Sequence, residues 1–297
     1  MKQVVILSGK GGTGKTTVAA ALVHLASQEA PIVFADADVD AANLELVLDP
    51  TVQETHDFVS GKLAVVDPEI CENCGVCAQV CRYEAISSTT ELSKPHYVVE
   101  PIACEGCAAC FYQCPSGAIR LEDPVAGQWF RSETRFGSLF HAHLYAGQEN
   151  SGKLVTMVKQ QGRLRAMDEK CEFLIVDGPP GIGCPVISAC AGAHLALLVV
   201  EPTVSGVHDL ERVLATTNHF RVPALVVINK ADINPARGDE IVAFCRSKGI
   251  EVVGCIPYDD VVTEAMVQGL PVTAFEDGVV TAELKHVWRR VRDWLAR

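Results

Sequence analysis

The sequence predicts an α/β protein, in which a mostly parallel sheet is covered by helices and a small cysteine-rich α+β domain is inserted. Three observations support this prediction. Short β-branched runs alternate with longer amphipathic stretches. About 135 residues separate the second predicted strand from the third, far more than one crossover helix needs. Two segments within that gap repeat the same cysteine spacing.

The predicted elements alternate along the chain on both sides of this gap. The strands are expected at residues 4–7, 32–35, 173–176, 195–200, 224–228 and 251–255. The helices are expected at residues 16–28, 150–167, 206–220, 236–247 and 281–296. Strands this apolar are typical of a parallel sheet that is buried on both faces.

Composition narrows the class of protein. The chain has 297 residues, with 25 basic and 37 acidic side chains, so its formal net charge is −12. Such a protein should repel nucleic acid and anionic membranes. The N-terminus does not resemble a signal peptide, and the longest apolar run, 189–200, is too short to span a bilayer. We therefore expect a cytoplasmic protein that binds no nucleic acid and no membrane.

A phosphate-binding loop follows the first predicted strand. Gly9, Gly14, Lys15 and Thr16 complete the pattern G-x-x-x-x-G-K-[ST] directly before a predicted helix. Lys15 is expected to reach the β- and γ-phosphates, and Thr16 to offer its hydroxyl to Mg²⁺. A glycine-rich turn without a ligand is the alternative, but motif and context agree on a nucleotide. The predicted phosphate-binding residues are Gly9, Lys10, Gly11, Gly12, Thr13, Gly14, Lys15, Thr16 and Thr17.

A second lysine refines this motif. Lys10 follows the first glycine, and "KGGTGKTT" resembles the deviant Walker A loop of the MinD/ParA/Mrp ATPases and the nitrogenase iron protein. In that family the early lysine crosses to the partner's phosphates. The resemblance therefore implies a dimer closed by ATP, with Lys10 and Lys15 both catalytic. From the residues alone, Lys10 is equally compatible with an exposed loop charge.

Two further segments extend the resemblance. "FADADVDAANLEL" resembles the family's switch I, which implies that Asp36 lies near Mg²⁺ and that Asp38 orients the attacking water. Asp40 is expected to cap the helix that follows. "FLIVDGPPG" resembles the Walker B strand leading into switch II. Asp177 should then hold the Mg²⁺ shell, and the N–H of Gly181 should sense the γ-phosphate.

The segment "VVINKAD" is expected to contact the base. Asn229, Lys230 and Asp232 also match the guanine-reading N-K-x-D pattern of GTPases. In the MinD/ParA relatives the matching asparagine faces adenine, and the later segment carrying Pro257 and Tyr258 resembles their base loop. ATP is therefore favoured over GTP.

Eight cysteines form the repeat C-x₂-C-x₂-C-x₃-C twice. This is the spacing of two-cluster bacterial ferredoxins, in which each fourth cysteine ligates the other cluster. The pattern implies two [4Fe–4S] clusters. One set of ligands is Cys71, Cys74, Cys77 and Cys114, and the other is Cys104, Cys107, Cys110 and Cys81.

Structural zinc is the alternative to iron–sulfur clusters at these cysteines. Zinc takes four ligands and requires neither the third cysteine of each run nor the duplication. The sequence departs from the ferredoxin pattern at Arg82, where the first repeat would have the proline that Pro115 supplies in the second. This departure removes no ligand.

Nearly end to end, the chain resembles MinD-superfamily ATPases with an inserted ferredoxin domain. The expected boundaries are 1–62 and 124–297 for the ATPase domain and 63–123 for the ferredoxin-like insert. Residues 136–155 resemble that group's linker between the insert and switch II.

The resemblance implies a Mg²⁺-dependent ATPase that couples ATP binding or hydrolysis to electron transfer or Fe–S chemistry on a redox or Fe–S protein partner. It also implies a homodimer, or a heterodimer with a related ATPase-ferredoxin. Two alternatives stay open: an ATPase that assembles or carries Fe–S clusters, and a MinD/ParA-like positioning ATPase whose clusters sense redox state.

Three weaker signals have an ordinary packing interpretation. His141 and His143 share one face of an expected strand and would bind metal only with a third ligand. Cys184 follows switch II, where the nitrogenase iron protein has a cluster ligand, but the second cysteine that such a site needs is not identified. The basic last helix resembles the membrane helix of MinD, although packing on the sheet explains it better.

Overall fold

The computed structural model describes residues 1–90, 94–148 and 151–297. They form two compact units. The larger unit comprises residues 1–56, 129–143 and 151–297, and the smaller one comprises residues 57–128 and 144–150.

Strands and helices are numbered separately, each in chain order. The strands are β1 Lys2–Ser8, β2 Ile32–Asp36, β3 Thr51–Val59, β4 Leu63–Val66, β5 Ile86–Thr89, β6 His96–Val99, β7 Ile119–Glu122, β8 Val125–Thr134, β9 Gly137–Leu144, β10 Phe173–Pro180, β11 Leu195–Val200, β12 Ala224–Asn229 and β13 Glu251–Ile256. The helices are α1 Lys15–Ser27, α2 Leu44–Leu48, α3 Val76–Val80, α4 Ala109–Gln113, α5 Ser151–Asp168, α6 Cys184–Cys190, α7 Gly206–His219, α8 Pro235–Ser247, α9 Val261–Val267, α10 Val272–Phe275 and α11 Val279–Leu295.

A nine-stranded sheet organises the larger unit. Its order is β13-β12-β11-β1-β10-β2-β9-β8-β3, and the seven strands from β13 to β9 pair in parallel. The central strands are apolar and fully buried, as expected for strands that are covered by helices on both faces. The predicted α/β class with a large, mostly parallel sheet is thus confirmed.

All six predicted strands lie in this sheet, but the sheet extends further than predicted. Residues 136–155 resemble the linker of related proteins, but a strand was also expected around His141 and His143, and Gly137–Leu144 is strand β9, which pairs in parallel with β2. Leu139 and Phe140 are buried there beside Phe34 and Ala35. The length and glycines of this segment are typical of a linker, whereas its apolar positions are buried by a partner strand distant in sequence.

The last helix packs on the sheet. Helix α11 contacts β13 and α1, and its buried stripe is Val280, Thr281, Leu284, Val287, Trp288, Val291 and Leu295. Trp288 in this stripe is 2% exposed, and Trp294 is partly buried against the same core. Arg292 pairs with Glu29 and Arg290 with Glu251. The apolar face that a membrane helix would present is therefore covered by the protein's own core.

The smaller unit has its own core. Two antiparallel strand pairs, β4 with β7 and β5 with β6, accompany the short helices α3 and α4. Its buried cluster consists of Ala64, Cys77, Ile86, Cys110 and Ile119.

Over the described residues, no helix is both long enough and apolar enough to cross a membrane.

Candidate functional site

The phosphate-binding loop connects β1 to α1. Gly12 (φ 77°) and Gly14 (φ 83°) adopt the left-handed conformation, which glycine enters without steric cost. A side chain on Gly9 would collide with Asp209 of α7, so this end of the loop lies flat against that helix. The loop therefore turns its backbone toward the start of α1, where N–H groups lack helical partners and attract phosphate.

Lys15 lies in an acidic cluster. Its side chain is only 6% exposed, and its ammonium donates to Asp177 Oδ1 at 2.7 Å and lies 3.9 Å from Asp38 Oδ2. Burial is the largest influence on the pKa of Lys15 and lowers it, but the charge and hydrogen bond of Asp177, together with the charges of Asp36 and Asp38, outweigh burial and raise it. Lys15 is therefore a buried cation, held by carboxylates at the loop where a phosphate would bind.

Parallel pairing places the acidic residues at one edge of the sheet. Asp36 at the end of β2 is in register with Asp177 of β10. Ligands of open parallel sheets bind outside this edge, where the strands end. The structure thus brings together Asp36, Asp38 and Asp177 around Lys15, as the sequence predicts for a magnesium nucleotide.

Asp36 also holds switch I. It is fully buried, and its carboxylate accepts N–H bonds from Asp38 (3.1 Å), Asn43 (3.0 Å) and Leu44 (3.0 Å). Asp36 thereby satisfies the start of α2, a role that the sequence assigned to Asp40 instead. Asp40 is exposed, and the N-cap position is Asn43.

Burial and repulsion make this acidic cluster receptive to a cation. Burial and the charge of Asp177 raise the pKa of Asp36 to about 7. Burial raises the pKa of Asp38 to about 6, although the charge of Lys15 opposes it. The second oxygen of Asp177, Oδ2, is buried without a hydrogen-bond partner among the described residues. A buried carboxylate oxygen without a protein partner is the kind of ligand that Mg²⁺ prefers, and Mg²⁺ beside a nucleotide needs only one or two carboxylates in addition to water and phosphate oxygens.

The start of switch II contacts the phosphate-binding loop. Gly181 (φ 89°) follows β10, and its N–H donates to the carbonyl of Ser8 at 2.9 Å. The sequence assigns this N–H to the γ-phosphate, so that role requires the Ser8 bond to break.

The residues predicted to contact the base line a cavity of about 250 Å³. Its walls include Gly14, Thr17, Asn229, Pro257 and Tyr258. Asn229 Nδ2 donates to the carbonyl of Thr13 at 2.8 Å, which ties the base loop to the phosphate loop. This cavity lies at the end of the phosphate-binding loop, as a bound nucleoside requires.

Asp232 is engaged with the backbone rather than turned freely to the cavity. Its Oδ1 accepts the N–H of Tyr258 at 2.6 Å, and the hydroxyl of Tyr258 donates to Asp260 at 2.9 Å. In the N-K-x-D pattern this aspartate would hydrogen-bond to guanine. Here Asp232 instead holds the loop through the N–H of Tyr258, and this favours adenine.

Lys10 points away from Lys15. Its ammonium donates to Thr203 Oγ1 at 3.1 Å and lies 3.6 Å from Glu201 Oε2. Glu201 also pairs with Lys230 at 2.5 Å. Sequence reasoning missed Glu201 and Thr203, because no motif marks them and their contact with Lys10 spans about 190 residues.

Cysteines of both repeats meet in the core of the smaller unit. Cys77 and Cys110 are buried in α3 and α4, and three other cysteines pack against the same apolar cluster, namely Cys81, Cys104 and Cys114. Burial and the neighbouring thiols of Cys71 and Cys74 raise the pKa of Cys77. Burial and the thiols of Cys104 and Cys107 likewise raise the pKa of Cys110.

Cys114 has a different environment. Burial raises the pKa of its thiol, but hydrogen bonds from Ser116, Ala118 and Gly117 outweigh burial and lower it. The N–H of Ala118 points at Cys114 Sγ, 3.3 Å away. N–H groups directed at sulfur stabilise a thiolate, the form that binds metal.

In the described part of the chain, no three His, Cys, Asp or Glu side chains converge closely enough to hold a single metal ion. The eight thiols of the two repeats are the donor set that two [4Fe–4S] clusters take.

His141 is a packed core histidine. Its Nε2 lies 2.8 Å from the hydroxyl of Ser132, and its ring stacks on Phe130. Burial lowers the pKa of His141 to about 4. His143, two residues on, is exposed.

Comparison with known proteins agrees with this nucleotide site. The family model described as the CobQ/CobB/MinD/ParA nucleotide binding domain matches residues 4–272. An uncharacterized protein of Methanocaldococcus jannaschii is 36% identical over 235 residues, which cover 78% of this chain and 79% of the relative. The septum site-determining protein MinD of Bacillus subtilis is 23% identical and covers 97% of this chain and 88% of its own.

Solved structures share the fold. MinD of Pyrococcus horikoshii, complexed with Mg-ADP, has a TM-score of 0.59 at 20% identity and covers 98% of this chain and 95% of its own. The D38A variant of McdA from Cyanothece, in complex with ATP, has a TM-score of 0.58 at 19% identity and covers 100% and 96%.

Proposed function

The chain belongs to the CobQ/CobB/MinD/ParA nucleotide-binding family and is an ATPase; from this premise we propose that it couples ATP to iron–sulfur chemistry. In this proposal the chain acts as a dimer that carries two [4Fe–4S] clusters per protomer in a ferredoxin-like insert. ATP binding and hydrolysis control electron transfer to a redox or Fe–S protein partner in the cytoplasm.

The observation that carries the proposal is the grouping of the cysteines. Five of the eight side chains lie in or against one apolar cluster, and the two buried ones belong to different repeats. Four thiols per group are the ligands of a cubane cluster, and such clusters supply one-electron transfer when bound. The burial of Cys77 and Cys110 favours clusters that stay in the protein over clusters that are delivered.

The predicted ATPase residues lie close together, which supports hydrolysis. In this proposal Lys15 and Thr16, at the start of α1, would contact the phosphates, and Asp36 and Asp177 would hold Mg²⁺. Asp38, 3.9 Å from the ammonium of Lys15, would orient the attacking water. Phosphoryl transfer depends mainly on such positioning and on charge stabilisation. In the dimer, Lys10 would act on the phosphates of the other protomer.

The position of the insert in the chain supports the coupling. The cysteines lie between Asp38 of switch I and Asp177 of switch II in sequence. Switch segments of nucleotide-binding proteins change order or position with the state of the γ-phosphate. An insert that lies between the two segments in sequence, with β9 and α5 between it and switch II, is expected to respond to the nucleotide.

Anaerobic isolation followed by metal analysis tests the cluster assignment. We expect about eight irons per chain, and Cys77→Ser should lower this number substantially. Cys184→Ser is the matched control, because Cys184 is exposed and lies outside the repeats. Zinc in place of iron, or equal iron in both variants, would refute the assignment.

A further inference from the structure

We propose that Glu201 is a positioning residue that holds Lys10 over its own protomer until ATP is bound, so that Glu201 opposes closure of the dimer. This inference rests on the proposed role of Lys10 across the dimer. It concerns a carboxylate that neither the sequence motifs nor the family match assigns to the site.

Lys10 contacts Glu201 and Thr203 of its own chain. The Lys10 ammonium lies 3.6 Å from Glu201 Oε2 and donates to Thr203 Oγ1 at 3.1 Å. The Glu201 side chain is only 12% exposed, so this ion pair is less screened by solvent than a surface pair. Lys10 is thus bound on the side of its own β11 loop.

Glu201 is fixed in place and cannot move with Lys10 toward another protomer. Glu201 comes directly after β11, its carbonyl accepts the N–H of Thr203 at 2.8 Å, and the carbonyl of Thr203 accepts the N–H of Gly206 at 3.0 Å. A side chain on Gly206 would collide with the carbonyl oxygen of Glu201. This tight turn fixes both groups that hold Lys10, so the lysine must leave them to reach another protomer.

The release of Lys10 does not leave Glu201 with an unpaired charge. Glu201 Oε1 pairs with Lys230 at 2.5 Å, and Lys230 also donates to the carbonyl of Gly12 at 3.3 Å. After Lys10 departs, Lys230 still neutralises Glu201, so the large penalty of an uncompensated buried carboxylate does not arise. The contact is therefore weak enough to be reversed by a triphosphate.

Glu201 is also connected to the loop that is expected to contact the base. Lys230 has φ 54° in the left-handed region, an uncommon conformation for a lysine, and it follows Asn229 in the base loop. Glu201 thus links Lys230, in the loop expected to contact the base, to Lys10, which is expected to contact the phosphates.

The substitution Glu201→Gln tests the proposal because it removes the charge and keeps the size. The anaerobically isolated full-length protein should form its ATP-dependent dimer about five- to twenty-fold more tightly, since the partly exposed pair is worth up to about five-fold per protomer. Sedimentation with Mg-ATP measures this shift. The turnover of the fully formed dimer should change little.

Glu211→Gln is the matched control. Glu211 is an exposed glutamate on α7 that forms no ion pair within the described part of the chain, and its substitution changes the net charge equally. Thr203→Val should tighten the dimer in the same direction but less, because it removes a neutral acceptor. A variant that only damages the fold is not expected to form the ATP-dependent dimer more tightly.

A second readout requires no dimer. In the nucleotide-free protein, an amine-acylating reagent should modify Lys10 several-fold faster in Glu201→Gln than in the wild type, relative to exposed Lys170 in the same sample. Peptide mass spectrometry measures the ratio. Unchanged Lys10 labelling refutes the proposal in every case, and so does equal dimerisation of Glu201→Gln and Glu211→Gln. A wild type that stays monomeric with ATP, but shows the labelling difference, refutes the dimer and retains the restraint on Lys10.

Discussion

At the scale of single residues, the lysines of the nucleotide site are paired with carboxylates of the same chain. Lys15 is paired with Asp177, whose second oxygen has no partner among the described residues, and Lys10 is paired with Glu201. Binding of Mg-ATP would replace both pairings, because phosphate attracts the lysines and the cation attracts the carboxylates.

Asp38→Asn should separate ATP binding from hydrolysis. The amide keeps the size of Asp38 but cannot orient a water as a carboxylate does, so turnover should fall about 100-fold or more. Nucleotide affinity should change little. Phosphate release and equilibrium binding of a fluorescent ATP analogue measure the two effects.

Asp40→Asn is the control for this substitution, because Asp40 is exposed in the same segment. Its turnover should stay within about two-fold of the wild type. Equal losses in the two variants would contradict the role of Asp38.

His141 should make the larger unit less stable in acid. Its pKa is about 4 in the folded protein and about 6.5 when unfolded. Below about pH 6.5 the unfolded chain therefore takes up a proton that the folded protein does not, and stability falls as the pH falls. Between about pH 7.5 and 5.5, His141→Gln should remove about 1 kcal/mol of this loss.

Tryptophan fluorescence during urea unfolding measures that slope, because Trp129, Trp288 and Trp294 all belong to the larger unit. His143→Gln is the control at an exposed position of the same strand, and it should keep the wild-type slope. If both variants behave alike, the buried histidine is not responsible.

The sequence predicted the residues of the site better than their contacts. Gly14, Lys15 and Asp177 were identified because local motifs fix their neighbours along the chain. The use of Asp36 rather than Asp40 to satisfy α2 was not, and neither was Glu201. Both depend on how the loops fold over the edge of the sheet, which a motif does not encode.

At the scale of elements, α6 is held from its far end by a buried lysine. Lys159 of α5 donates to the carbonyls of Ser188, Ala189 (3.3 Å) and Ala191 (2.6 Å) at the end of α6. Burial lowers the pKa of Lys159 to about 8. Because α6 follows switch II, this bond network fixes the helix while the preceding loop is free to change.

Lys159→Met should therefore destabilise the larger unit. The substitution leaves the terminal carbonyls of α6 without donors, at about 2–4 kcal/mol of the free energy of unfolding. Arg163→Met, an exposed cation on the same helix, should cost less than about 0.5 kcal/mol. Urea unfolding compares the two, and similar losses would show that Lys159 does not hold α6.

The elements that the sequence missed have a common cause. The six predicted strands are buried on both faces and are apolar throughout, a signal visible in a short window. Strand β3 is mostly exposed, β8 is mostly half-buried, and both contain several polar side chains, while β9 was expected only around His141 and His143, in a segment that also resembles a linker. Their place in the sheet comes from pairing with neighbours rather than from composition.

At the scale of the whole molecule, two chemistries are joined in one chain. The larger unit has the fold of its ATPase family, and the smaller unit holds the eight repeated cysteines. The insertion lies between the two segments expected to respond to the γ-phosphate. Coupling of nucleotide state to the electron-transfer properties of the insert is the central claim.

A redox titration of the anaerobically isolated protein, followed by EPR with and without Mg-ATP, tests this claim most directly. We expect signals of reduced [4Fe–4S] clusters whose midpoint potential or rate of reduction changes when Mg-ATP is added, and Asp38→Asn should retain the part of the change that binding alone produces. Iron–sulfur signals that are identical with and without Mg-ATP, in protein whose ATPase activity is intact, would contradict it.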